Sequence, residues 1–262
     1  MTSILNDRPK GAAHRQSDWL KGPLVAVAVV ATGAGSALAE PGYTDEFAQS
    51  ARAWLLDNPE VVLEVFTLLE QQEAVKKADA QTGMISAHAD ALFGSDDGRK
   101  GNPLGQIVVV EFFDYQCGYC RAALAELTSA LEGESEVAVV LKEFPILGPA
   151  SEQAARLALA VRAEHGDEAY ISFHNTLLAQ KGQLNDTLLR MLAGAAGFDF
   201  DALSERGRQP DISGRIAENK RLAQALSING TPAFVFRDGI VPGLMTADRL
   251  RDAFQRPGVR GI

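Results

Sequence analysis

The chain holds two cysteines, Cys117 and Cys120, at the end of the run Glu111-Phe112-Phe113-Asp114-Tyr115-Gln116-Cys117-Gly118-Tyr119-Cys120. Two thiols with two residues between them can cycle between dithiol and disulfide, which makes thiol-disulfide exchange the first chemistry to consider. An apolar stretch over residues 107–113 leads into the pair and a helical pattern follows it, so Cys117 is expected at a helix N-terminus. Unpaired N–H groups and the helix dipole at such a position stabilise an anion and bring a cysteine pKa from about 8.5 into the range of roughly 3.5 to 7.5. Cys117 is therefore the candidate nucleophile. Cys120, one turn later on the same face, is the candidate resolving thiol that attacks a mixed disulfide at Cys117. The redox group is then the Cys117–Cys120 disulfide itself, and no cofactor or metal is expected.

Other uses of a cysteine pair fit less well. A structural staple closing so short a loop removes little chain entropy. Zinc requires four ligands, and His14, His88, His165 and His174 show no finger-like spacing to the pair. The reading from another class is Cu(I) binding by the reduced thiols, soft ligands for a soft ion. The methionines form no cluster that would add to such a site.

The elements that position the pair follow from the patterning. Residues 107–113 form a continuous apolar run, the mark of a strand covered on both faces, and residues 137–144 form a second after the helix expected over 117–130. Together they make a right-handed βαβ unit. Residues 145–231 carry only helical patterns, at 152–164, 170–178, 187–196 and 212–226, separated by Gly166, Gly182, Gly197 and Gly207. That is far more chain than a crossover needs, so it reads as a helical insertion. The sheet resumes at 233–236 and 240–241 around Arg237-Asp238-Gly239, a hairpin signal, and a last helix spans 246–255.

The 262 residues, with 46% hydrophobic and 23% charged residues, have the composition of a globular protein, and the net charge of -9 excludes a basic nucleic-acid-binding surface. Residues 1–39 read as a secretory leader, with basic Arg8, Lys10, Arg15 and Lys21, an apolar core over 23–34 and an Ala37-Leu38-Ala39 cleavage site. An uncleaved anchor is the alternative, but the apolar core is shorter than the roughly 17 to 25 residues that span a bilayer. The mature chain is expected outside the cytoplasm, in the periplasm.

Residues 40–84 read as a separate helical segment. Thr44 is a helix cap, Asn58-Pro59 a break, and Val61, Val65, Leu68, Gln72 and Val75 a heptad seam widened by Val62, Phe66 and Leu69. The seam either packs on its own catalytic domain or makes an oligomerisation arm over residues 43–80 for a homodimer or trimer. The Gly- and Asp-rich stretch 94–105, read as a linker, favours the arm. The catalytic domain then covers residues 85–262, with its helical insertion at about 145–230.

This order of elements, with CxxC after the first central strand and Gly230-Thr231-Pro232-Ala233-Phe234 before the hairpin, resembles an α/β thioredoxin fold with the inserted helical domain of the DsbA family. The resemblance implies a cis Thr231–Pro232 bond facing the cysteines, where the alternative is a trans proline entering a strand. It also implies that Thr231 offers main-chain hydrogen bonds to an extended peptide. Glu111 and Lys142 interrupt apolar runs on neighbouring strands and match a buried Glu and Lys beneath the cysteines, which would relay protons to Cys120. The alternative is an edge pair facing water. The N-terminal helices and Phe-Phe-Asp-Tyr-x-Cys resemble, more narrowly, suppressor-of-copper-sensitivity C type periplasmic disulfide isomerases. That resemblance implies cysteine-containing protein substrates and a membrane redox partner. Gly118-Tyr119 replaces the Pro-His of DsbA, so a couple less oxidising than about -120 mV, nearer about -180 mV, is expected, with a dithiol oxidase as the alternative activity.

Overall fold

The structure, a computed structural model, describes residues 44–259. The expected leader, its cleavage site and His14 lie outside the described residues. The chain divides after Pro59 into two compact units, the second beginning at Glu60. In the first unit, Thr44 starts α1 (Asp45–Asp57) by accepting the Phe47 N–H at 3.2 Å, with Asp45 and Glu46 favouring the positive end of the dipole. Asn58 closes it, its backbone N–H bonding to the Trp54 carbonyl. No residue of α1 is buried.

The second unit opens with α2 (Glu60–Ala87) and α3 (Ala89–Phe93). Along α2, Val62, Leu63, Val65, Phe66, Leu68, Leu69 and Val75 are exposed, so the apolar stripe read from the sequence is present and uncovered in the monomer. The last turns differ. Ile85 is buried, Met84 packs against the core, and the helix runs on to Ala87, past the end expected for the separate segment at residue 84.

Five strands form one sheet: β1 (Arg99–Gly101), β2 (Ile107–Phe113), β3 (Val137–Glu143), β4 (Ala233–Phe236) and β5 (Gly239–Pro242), in the order β1-β3-β2-β4-β5. All seven residues of β2 and all seven of β3 are buried, which is why both read as apolar runs interrupted only by Glu111 in β2 and by Lys142 and Glu143 at the end of β3. They pair in parallel across the helix α4 (Gly118–Leu131), and the other three pairings are antiparallel. β1 lies inside the stretch expected as a linker. Three residues, two of them basic, carry no strand periodicity, and only their antiparallel pairing with β3 makes them a strand.

The insertion contains α5 (Pro149–Leu178), α6 (Asp186–Ala195), α7 (Phe200–Arg206) and α8 (Pro210–Ala225). The two helices expected on either side of Gly166 run into one another through a kink at that residue, whose φ of 82° is open to glycine at little cost. The sequence reading missed α7, a short helix capped by the Asp199 carboxylate on Asp201 and Ala202. The chain ends in α9 (Ala247–Phe254), capped by Thr246.

Alternation along β2 and β3 divides the core. Val109, Phe113, Val139 and Leu141 face the side of α4, α5 and α9, whereas Val110, Phe112, Ala138 and Val140 face the end of α2, α3 and α8. The edge strand β5 is blunted. Its Ile240 N–H, directed away from β4, is taken by the Gln81 side-chain oxygen of α2 at 3.0 Å, and the next outward position is Pro242, which has no N–H.

Candidate active site

Cys117 is the N-cap residue of α4, and its own N–H is fixed by the Asp114 carbonyl at 3.1 Å. Both sulfurs are thiols in the structure. The Cys117 thiol donates to the Thr231 carbonyl at 3.2 Å, and the Thr231–Pro232 peptide is cis. The structure thus brings together Cys117, Cys120, Thr231 and Pro232 from two distant parts of the chain. Gly118 and Tyr119 sit between the sulfurs on the outer side. A side chain at Gly118 would meet only the tip of Arg121, at 3.7 Å, and the Tyr119 ring is exposed.

The two thiols are chemically unequal. The Cys117 pKa is lowered to about 5, first by the hydrogen bond from the Cys120 thiol, then by a hydrogen bond from the Thr231 side chain and by the N–H groups of Cys120 and Tyr119, against the opposing effect of burial. Cys120 has no exposed surface, and burial followed by its hydrogen bond to Cys117 pushes its thiol far up. One sulfur is poised to attack, and the other needs a base before it can.

Glu111 is electrostatically coupled to this pair. It is buried on β2, on the α4 face, and burial raises it to about 7, with Lys100 opposing and Cys117 adding to the shift. It also acts electrostatically on Cys120. Lys142 is not part of this group. Register pairs it with Phe112 and pairs Glu111 with Leu141, so the two charges point to opposite faces of the sheet. Lys142 is buried with Asp97 in an ion pair and bonds Ser95 at 3.0 Å. Neither residue faces water, so the edge-pair alternative fails as well. The lysine on the Glu111 side is Lys100 of β1, opposite Val139 and held by Thr128 Oγ1 at 3.1 Å and Asn175 Oδ1 at 3.2 Å. It could not be found in the sequence because β1 itself was invisible there.

Two further residues were missed. Asp114 is buried between strand and CxxC. Its carboxylate accepts the Gln116 N–H (2.7 Å), the Ile146 and Leu147 N–H groups (2.8 and 3.0 Å) and the Ser151 hydroxyl (2.7 Å), locking the loop before α5 to the cysteine loop. Its signal was an acidic residue at the end of an apolar run. Glu143 is buried at the end of β3. It accepts the hydroxyls of Tyr115 (2.8 Å) and Tyr170 (3.0 Å), and burial raises its pKa well above the ordinary range. Among the described residues no group of three or more His, Cys, Asp or Glu is placed to hold a metal ion, and no helix is long and apolar enough to cross a membrane.

Residues 108–255 match the family model described as DSBA-like thioredoxin domain. A stretch of 175 residues is 29% identical to Na(+)/H(+) antiporter NhaA 3 of Salinispora tropica, covering 65% of this chain and 26% of that protein. The chain therefore spans about a quarter of the length of the curated relatives it matches. Among solved structures, a thioredoxin-like oxidoreductase from Silicibacter pomeroyi DSS-3 is 41% identical with a TM-score of 0.60, covering 63% of this chain and 94% of that one. Proteus mirabilis ScsC in a compact conformation is 28% identical with a TM-score of 0.59, covering 81% and 96%.

Proposed function

We propose, from the premise that this chain belongs to the DSBA-like thioredoxin domain family, that it exchanges disulfides with cysteine-containing proteins in the periplasm and acts there as an isomerase or reductase. The observation that carries this reading is the unequal pair: a Cys117 ionised above about pH 5 beside a buried Cys120 whose ionisation is strongly opposed. The Cys117 thiolate attacks one sulfur of a client disulfide. A Cys117–client bond forms, the client S–S bond breaks, and a client thiolate leaves. If a different client thiolate attacks the client sulfur of the mixed disulfide, a new client S–S bond forms, the Cys117 thiolate is regenerated and the client is rearranged with no net change in electrons. If Cys120 loses its proton to the Glu111 carboxylate and attacks Cys117, the Cys117–Cys120 disulfide forms, the client leaves reduced, and two electrons have passed to it. A Cys120 that ionises with difficulty prolongs the mixed disulfide and favours rearrangement.

The dithiol oxidase reading keeps one observation in its favour, because a depressed Cys117 pKa stabilises the reduced form and so makes the disulfide more oxidising. A value of about 5 lies between the roughly 3.5 of DsbA and the roughly 7 of thioredoxin, which fits a couple of intermediate potential. The exposed apolar stripe of α2 supports self-association through residues 43–80, which would raise the effective concentration of active sites around one client. A membrane protein that returns electrons to the pair completes the proposed cycle.

The deciding experiment traps the thiols of the exported protein with acid and alkylation and assays the purified protein on scrambled ribonuclease. Reduced cysteines with recovery of ribonuclease activity are expected. Fully oxidised cysteines and no recovery would replace this reading with the oxidase.

A further inference from the structure

Three successive residues join β2 to Cys117, and the side chain of each reaches a different part of the chain after β3. The Asp114 carboxylate holds the start of α5, accepting the Ile146 and Leu147 N–H groups and the Ser151 hydroxyl. Tyr115 is buried, and its hydroxyl donates to Glu143 Oε1 at 2.8 Å, the oxygen that also accepts the Tyr170 hydroxyl of α5 at 3.0 Å. The Tyr115 oxygen lies 3.2 Å from Nδ1 of His174, one turn further along α5. Burial keeps that imidazole neutral, with its pKa lowered to about 3, and with the tyrosine proton given to Glu143 it is Nδ1–H that donates. Gln116 Oε1 accepts the Leu184 N–H at 2.8 Å, in the loop between α5 and α6.

We propose that Tyr115 and Gln116 are positioning residues through which the helical insertion fixes the geometry of Cys117 at the start of α4. The proposal rests on the disulfide-exchange reading, for which it names what holds the attacking sulfur in place. Cys117 is an N-cap residue in extended conformation, with φ of -74° and ψ of 119°. That conformation keeps the sulfur at the first turn, where the Tyr119 and Cys120 N–H groups favour the thiolate. Cysteine is not among the residues that prefer a cap position, so the loop has to impose the conformation. The Cys117 N–H is held by the Asp114 carbonyl, and Tyr115 and Gln116 are the two residues between that carbonyl and Cys117. Anchoring both side chains stops this short turn from rotating. The Tyr115 anchor is itself seated closely: a Cβ on Gly98 would stand 2.2 Å from the Tyr170 ring.

The test uses the full chain in its reduced form and follows alkylation of Cys117 by iodoacetamide from about pH 3 to about pH 9, spanning the folded value of about 5 and the ordinary value of about 8.5. Tyr115→Phe removes the hydroxyl and keeps the ring that packs edge to face on Phe113 and His174. Gln116→Met removes the acceptor and keeps the length of a half-buried side chain. Each should raise the alkylation midpoint by about one pH unit, the equivalent of one hydrogen bond to the thiolate. Gln153→Ala is the control, because its bond to Asp186 joins α5 to α6 without reaching the loop, and it should leave the midpoint at the wild-type value. Urea midpoints are measured alongside. A loss of stability with an unmoved alkylation midpoint, in either folded variant, would make that residue structural only and overturn the proposal. An equal shift in Gln153→Ala would overturn it as well. If Tyr115→Phe does not fold, Gln116→Met decides alone. Release of thionitrobenzoate from a peptide mixed disulfide tests the exchange reading separately: a wild-type protein that releases none would end that reading, whatever the alkylation midpoints.

Discussion

The Cys117 sulfur and the Thr231 carbonyl oxygen lie 3.2 Å apart although 114 positions separate the two residues in the chain. A carbonyl accepts a hydrogen bond from the thiol and not from the thiolate, so ionisation of Cys117, or its capture in a mixed disulfide, releases that acceptor. The released oxygen is then open to another N–H donor. Ionisation of the thiol and exposure of this acceptor are two sides of one proton loss.

Thiolate absorbance of the reduced protein should titrate near pH 5, and alkylation of Cys117 should follow the same curve. Cys120→Ala removes the largest stabilising contact and should move the midpoint upward. The same depression sets a stability trend. The unfolded cysteine holds its proton to about pH 8.5, so the contribution to the reduced fold is complete above that pH and is lost as pH falls through about 5. An unmoved midpoint in Cys120→Ala would assign the depression to the helix terminus alone.

Glu111 should show the opposite sign. Its folded pKa of about 7 lies above the ordinary 4.5, so the unfolded chain gives up this proton first and stability falls as pH rises from about 4.5 to about 7, then levels. The difference in urea midpoint between Glu111→Gln and wild type should grow across that interval. Loss of the base should also slow resolution of a Cys117 mixed disulfide on the order of a hundredfold at neutral pH. Resolution at the wild-type rate would remove Glu111 from the proton path.

Lys100 and Lys142 should separate cleanly. Lys142→Met leaves Asp97 buried without its close partner and should destabilise the fold by about 3 to 5 kcal/mol, with the Glu111 titration unmoved. Lys100→Met should instead raise the Glu111 pKa, since Lys100 is the charge that holds it down. If Lys142→Met were the variant that moved Glu111, the opposite-face assignment would be wrong.

Charges placed on the α2 stripe should dissolve the proposed oligomer. Leu68→Glu combined with Leu69→Glu changes two exposed residues and removes no buried contact within the chain. Native mass should fall to that of one chain, and recovery of scrambled ribonuclease should drop with it. A wild-type protein already of single-chain mass would end the oligomer proposal.

Much of the site was readable because its signals are local. Cys117 and Cys120 declare themselves by spacing, β2 and β3 by runs of apolar residues buried on both faces, and Pro232 by the strand that follows it. The apolar run of β2 even placed Glu111 on a covered strand. Lys142, by contrast, looked like its partner because both interrupt apolar runs, and one step of register sends the two to opposite faces. Lys100 was hidden because three residues held by pairing with β3 have no pattern of their own. Asp114 shows its role only where the loop before α5 returns to it, and the Gln81 contact that blunts β5 only where the end of α2 docks on that strand. Sequence by itself determined which residues could do redox chemistry, since that depends on residue type and near spacing. Tertiary structure decided which charges act on the thiols and which carbonyl meets Cys117, because both depend on sheet register and on contacts between segments far apart in the chain.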